Sequence, residues 1–145
     1  MNVVDANVLL YAVNADAEHH DASRGWLDGC LSGGESVGFA WVALLAFVRL
    51  ATRPDLFPHP LTVDEAMDRV DAWLGAAPAV VVGPTSAHAR VVRDLLRAVG
   101  AGANLVNDAH LAALAIEHRA GVVSYDNDFS RFPGVRWVRP GEAAP

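Results

Sequence analysis

The stretch Met1-Asn2-Val3-Val4-Asp5-Ala6-Asn7-Val8-Leu9-Leu10-Tyr11-Ala12 decides how the rest of the chain is read. Val3-Val4 is a short β-branched run and reads as a buried strand. Asn7 reads as the cap of a helix carrying Val8, Leu9 and Tyr11. Asp5 then falls at the carboxyl end of a strand, the edge where open parallel sheets gather ligands and catalytic groups. An aspartate after a strand is also an ordinary turn former. Its meaning depends on what else reaches that edge.

Working outward, residues 20–31 place Ala22, Trp26, Leu27, Cys30 and Leu31 at helical spacing, and Gly33-Gly34 closes them. Residues 36–39 read as a second strand. Residues 41–52, WVALLAFVRLAT, form a strongly apolar helix stopped at Arg53-Pro54. Thr62-Val63-Asp64-Glu65 has the pattern of a capping box, followed by Ala66, Val70, Trp73 and Leu74 on one stripe. Residues 79–82 are a third strand, and Gly83-Pro84-Thr85-Ser86 starts a helix with Val91, Val92, Leu95, Leu96 and Val99 inward. Residues 104–119 are a helix with Asp108 in its first turn, where a carboxylate suits the macrodipole. Residues 122–125 form a fourth strand running into Asp126-Asn127-Asp128-Phe129, and 135–138 a fifth. The tail from about residue 139 is expected to fray.

Strands alternate with helices, so the class is α/β, with a central, mostly parallel five-stranded sheet covered on both faces. Right-handed crossovers put the strand carboxyl ends on one edge. Asp5, Asp126 and Asp128 meet there, and Asp108 joins them if its helix starts at the same edge.

A length of 145 residues fits a single domain with a substantial core, and 52% hydrophobic residues exclude general disorder. No apolar run is long enough to span a bilayer, and the first residues lack the pattern of a signal peptide. Cys30 stands alone, which suits a small core residue in a cytoplasmic protein. The formal net charge is −6 and all 11 basic residues are arginine. Without lysine, Schiff-base chemistry and a P-loop lysine are excluded. An acidic chain is also a poor generic nucleic-acid binder, so a nucleic-acid substrate would require a bound cation or a local arginine cluster.

Three patterns have plain readings. His19-His20 beside Asp21 could suggest metal, but adjacent side chains on a helix point apart. Asp64, Asp68 and Asp71 form a solvated helix face. Arg90, Arg93 and Arg97 form a surface stripe, the one place where basic residues are grouped.

Three or four carboxylates in one pocket cannot all stay ionised unless some take up protons or a cation holds them. Oxygen ligands without a cysteine cluster select a hard ion, Mg²⁺ or Mn²⁺. One or two such ions would suit phosphodiester hydrolysis.

The opening VVDANVLLYA, the NDAHLAALA segment and the VVSYDNDFSRF end, in that order and spacing, resemble the PIN-domain ribonucleases, in particular the VapC toxins of bacterial toxin–antitoxin pairs. The resemblance runs from residue 2 to about residue 138 and implies a single three-layer α/β/α PIN domain over 1–145. It implies Asp5, Asp108 and Asp126 as metal-binding catalytic carboxylates, with Asp128 as a fourth or outer member. Asn7 and Ser124 would orient them by hydrogen bonds. It further implies Mg²⁺- or Mn²⁺-dependent cleavage of RNA, often tRNA or rRNA, a homodimer, and inhibition by a small VapB antitoxin whose tail enters the groove.

One departure stands out. Many PIN domains carry a glutamate three residues before an arginine on the helix after the second strand; here Arg49 is present but Ala46 occupies the acid's place, and no acid lies between Gly38 and Pro54. The lost charge could weaken a second metal, and Arg49 is left to meet an RNA phosphate or the antitoxin. A phosphoacceptor receiver domain would need a lysine, and a haloacid-dehalogenase phosphatase would need Asp rather than Asn at position 7. The serious rival is a PIN fold that has lost catalysis and serves as a binding module. A dimer is expected through the apolar faces of residues 20–31 and 41–52.

Overall fold

The computed structural model describes residues 1–142. Five short strands, β1 (Asn2–Val4), β2 (Val37–Phe39), β3 (Ala79–Val81), β4 (Gly121–Val123) and β5 (Trp137–Val138), make one sheet in the order β3-β2-β1-β4-β5. Every pairing is parallel. The chain builds outward from β1 on one side and then on the other, so the order reverses between β1 and β4. The crevice outside the carboxyl ends of those two strands is the topological switch point.

Side chains alternate across the strands with period two, which splits the core into two layers. Val3 and Val122 face α5 (His88–Val99) and α6 (Leu105–Glu117). Val4, Val37, Phe39 and Val123 face α1 (Ala6–Val13), α2 (His20–Leu31), α3 (Trp41–Ala51) and α4 (Val63–Gly75). The result is the expected α/β/α sandwich. Phe39, Phe47, Leu9, Leu27 and Leu44 are fully enclosed in the second layer, and each contributes roughly 1.5–3 kcal/mol of transfer free energy. Alanines 109, 112, 113 and 115 of α6 are all at 0% exposure, which brings that helix close onto the sheet. Gly38 serves the same layer: a Cβ there would lie 3.1 Å from Val3 Cγ2.

Several boundaries differ from the sequence reading. Asp5, not Asn7, caps α1: its carboxylate accepts from the Ala6 amide, so the helix starts one residue before Asn7. The fourth strand ends at Val123: the Ser124 amide still donates to the Val138 carbonyl while its hydroxyl bonds Asp5, and the Tyr125 amide turns to Asn7. The helix expected from residues 83–86 begins at His88, since Thr85 turns to bond Glu117 through both its amide and its hydroxyl. A 3-10 helix at Asn127–Arg131 follows Asp126. The capping box at Thr62 and Glu65 is present as expected.

Residues 139–142 are tied back, with Pro140 buried and the Arg139 guanidinium donating to Asn127 Oδ1. The expected fraying beyond them falls on 143–145, outside the described residues. Among the described residues no helix is long and apolar enough to cross a membrane.

Candidate metal centre

Asp5 leaves the end of β1 and is held on both oxygens. Oδ1 accepts from the Ala6 amide at 2.8 Å. Oδ2 accepts from Ser124 Oγ at 2.7 Å and Asn7 Nδ2 at 3.2 Å. Burial pushes its pKa up; the bonds from Ser124 and Ala6 work against that shift, and the charge of Asp126 adds to it.

Ser124 is the hub beneath the acids. It is wholly buried, and its hydroxyl also accepts from Asn7 Nδ2 at 3.0 Å and the Asp126 amide at 2.9 Å. Asn7 closes the ring by accepting from the Tyr125 amide at 3.2 Å. The amide side chain thus ties the first turn of α1 to the end of β4.

Asp126 caps the 3-10 helix, its Oδ1 accepting from the Asp128 amide at 2.9 Å. That turn brings the Asp128 carboxylate back to the edge, 3.6 Å from Arg131 Nη1. Asp108, in the first turn of α6, completes the group. Asp108, Asp126 and Asp128 each offer a carboxylate oxygen within 4.8 Å of the others. Asp5 lies beside this trio, close enough for its charge to act on Asp108. Burial and the charges of Asp126, Asp5 and Asp128 push Asp108 up to about 7.

That shift tests the site's chemistry. The like charges are too crowded for all to ionise freely, and the donors are hard oxygens without sulfur or imidazole among the three. A divalent hard cation fits this set.

A groove of about 440 Å³ opens beside the acids, lined by Asp5, Asp108, Leu111, Val42, Ala46 and Arg49. Ala46 therefore stands on the groove wall where the resemblance expects glutamate. Arg49 is exposed at the rim and forms no salt bridge among the described residues.

Sequence reasoning missed two supports. The Trp137 indole N–H donates to the Ser124 carbonyl at 2.9 Å and pins the loop that carries Asp126. Nothing in a lone tryptophan on a short strand signals this. The turn that returns Asp128 was also unforeseen, although Asp126-Asn127-Asp128 has the composition of a side-chain-capped turn.

A parallel three-layer fold whose switch point gathers carboxylates defines a class of protein with an acidic cluster at its ligand edge, of a chemistry that suits a hard cation. The family model described as "PIN domain" matches residues 3–135. The chain is 64% identical over 140 residues to "Ribonuclease VapC37" of Mycobacterium tuberculosis, covering 97% of each. It is 38% identical to "Ribonuclease VapC43" of the same species, covering 97% of this chain and 95% of that protein. Among solved structures it is similar to a chain of VapBC2 from Rickettsia felis bound to a promoter DNA fragment, with a TM-score of 0.68, 16% identity and coverage of 95% and 97%. A chain of VapBC-1 from nontypeable Haemophilus influenzae gives 0.67 at 13% identity, covering 97% of this chain and 98% of that one. The chain belongs to the PIN-domain family, among the VapC ribonucleases.

Proposed function

We propose that this chain is a metal-dependent endoribonuclease, the toxin of a type II toxin–antitoxin pair, which hydrolyses phosphodiester bonds in RNA, with tRNA or rRNA as the target class. The observation that carries this reading is the convergence of Asp5, Asp108, Asp126 and Asp128 at the switch point, which raises Asp108 to about 7. Relatedness to named ribonucleases along nearly the whole chain supports the choice of RNA.

Asp108, Asp126 and Asp128 would hold Mg²⁺ or Mn²⁺, with Asp5 as a further ligand. When bound, such an ion supplies a water of lowered pKa and stabilises charge developing on the phosphate. Ser124 and Asn7 fix the Asp5 carboxylate so that it need not reorganise during reaction. Arg49, at the groove rim, offers a guanidinium to an RNA phosphate or to the tail of a VapB-type antitoxin. The setting is cytoplasmic. A homodimer is supported by the outer face of α3, where Trp41 and Leu45 are 47% and 60% exposed. The apolar side of α2 packs into the chain's own core, which shifts the proposed contact toward α3.

The test is incubation of the purified chain with total RNA and Mg²⁺ or Mn²⁺. Cleavage that disappears with chelator, and in Asp5→Asn and Asp108→Asn, is expected. No cation-dependent cleavage, together with no cation bound by calorimetry, would overturn the reading. That result would favour the second reading, a PIN-fold binding module, for which Ala46 on the groove wall is the specific observation.

A further inference from the structure

We propose that the ring stack of His19 and Tyr125, flanked by Tyr11, is a platform for one nucleobase of the RNA, beside the phosphate that a cation at the carboxylates would hold. The inference rests on the ribonuclease reading above and adds to it a base-binding site.

The two rings lie nearly parallel, with centroids 4.2 Å apart and an interplanar angle of 12°. Tyr11 meets Tyr125 at 5.4 Å and His19 at 5.8 Å, both tilted, and forms a side wall. Tyr125 is fixed at both ends. Its amide donates to Asn7 Oδ1, and its hydroxyl lies 2.9 Å from Ser23 Oγ, which is wholly buried. The ring therefore cannot swing away from a ligand. All three rings are only half-buried.

His19 occupies the N-cap position of α2, yet its side chain makes no capping bond. Among the described residues its ring nitrogens have no hydrogen-bond partner, and no buried side-chain nitrogen or oxygen lacks one. Those nitrogens therefore reach solvent, so the ring edge is not covered by the protein. Tyr125 directly precedes Asp126, so the backbone that carries its ring adjoins the acidic cluster, consecutive Cα atoms lying about 3.8 Å apart. A nucleotide flanking the reacting phosphate has that neighbourhood within reach.

Charge makes such a platform useful. Phosphate contacts normally dominate nucleic-acid affinity, but this chain carries −6 and no lysine. Stacking on aromatic rings supplies affinity independent of protein charge, because every base has a π face.

The probe is a labelled single-stranded RNA with 2′-O-methyl sugars, spanning a cleavage site mapped with the wild-type protein, bound in chelator and followed by anisotropy. His19→Ala should weaken binding by about 5- to 150-fold, the range of one lost stacked base. Replacing one flanking nucleotide by an abasic one should cost the wild type a similar factor and cost His19→Ala nothing further. Tyr125→Phe keeps the ring and should bind within about threefold of wild type. Calorimetric Mn²⁺ binding by His19→Ala should be unchanged, which separates loss of the platform from loss of the fold. Unchanged RNA affinity in His19→Ala, or abasic losses equal in both proteins at every position, would overturn the proposal and leave the stack as packing or a protein contact. Wild-type cleavage alongside that result would leave the ribonuclease reading intact. Absence of any cation-dependent cleavage would remove both.

Discussion

Ser124 Oγ donates to Asp5 Oδ2 at 2.7 Å, across 119 positions of sequence, from a side chain with no exposure to solvent. The bond joins the end of β4 to the end of β1, and the same oxygen receives the Asp126 amide. Ser124→Ala therefore removes an orienting partner from one acid and a turn contact from another. Loss of stability by about 1–3 kcal/mol is expected from the stranded polar groups, measured by urea denaturation. Activity or cation affinity should fall by about 10- to 100-fold, as for other supports one step removed from a metal. A variant with wild-type Mn²⁺ affinity would show that Asp5 is oriented by Ala6 and Asn7 alone.

Asp108 makes the cation-free protein pH-sensitive in a definite direction. The folded chain keeps this proton up to about 7, whereas the ordinary aspartate value is 3.8. Between those values the folded state binds more protons than the unfolded one. Stability in chelator should thus fall as pH rises through the window and level off above it. Asp5, raised chiefly by burial, acts in the same sense. Added Mg²⁺ or Mn²⁺ should restore stability increasingly toward the upper end, because the ion favours the ionised acids. Asp108→Asn should flatten the slope in chelator. Thermal melts from about pH 5 to about pH 8, with and without the cation, check this; stability rising with pH in chelator would contradict it.

Ala46 offers the reverse manipulation. It lines the groove together with Asp5 and Asp108, and the cavity there has room for a longer side chain. Ala46→Glu places a further carboxylate beside an already crowded set. The cation-free protein should melt at lower temperature through like-charge repulsion, while Mn²⁺ affinity rises, by about tenfold if the new acid ligates. Isothermal titration together with melting curves in chelator separates the two effects. A rise in melting temperature without added ion would mean that the new acid pairs with Arg49 instead of facing the cluster.

Much of this site is legible in the sequence because three of its acids follow strands or open a helix, and parallel topology then brings them to one edge. Asp5 and Asp126 need only the alternation of elements; Asp108 needs in addition that α6 start at that edge. Asn7 is harder. Its type suggests a cap, but a capping preference is local, and Asp5 takes the cap while Asn7 bonds across to Ser124 and Tyr125. The stack of Tyr11, His19 and Tyr125 cannot be read at all, because its rings come from α1, the start of α2 and the end of β4. Their meeting depends on helix packing angles that hydrophobic spacing does not encode.

The same limit hides the contact between α5 and α6, from which a last prediction comes. Glu117, with a side chain 3% exposed, accepts from the Thr85 amide at 2.9 Å, Thr85 Oγ1 at 2.6 Å and His88 Nδ1 at 2.5 Å. His88 Nε2 continues the chain to His110 Nδ1 at 2.8 Å. Burial alone would raise the Glu117 carboxyl, but the bonds from Thr85 and His88 outweigh it and hold it below its ordinary value. Glu117→Ala leaves those donors facing a gap, so stability should drop by about 2–4 kcal/mol. Glu117 lies nine residues along α6 from Asp108, about 14 Å at helical rise, and at the opposite edge of the sheet. Cleavage per folded molecule should therefore stay within about twofold of wild type below the melting transition. Denaturation curves paired with RNA cleavage rates test both halves, and a large loss of rate in fully folded protein would mean that the contact positions Asp108 through the helix.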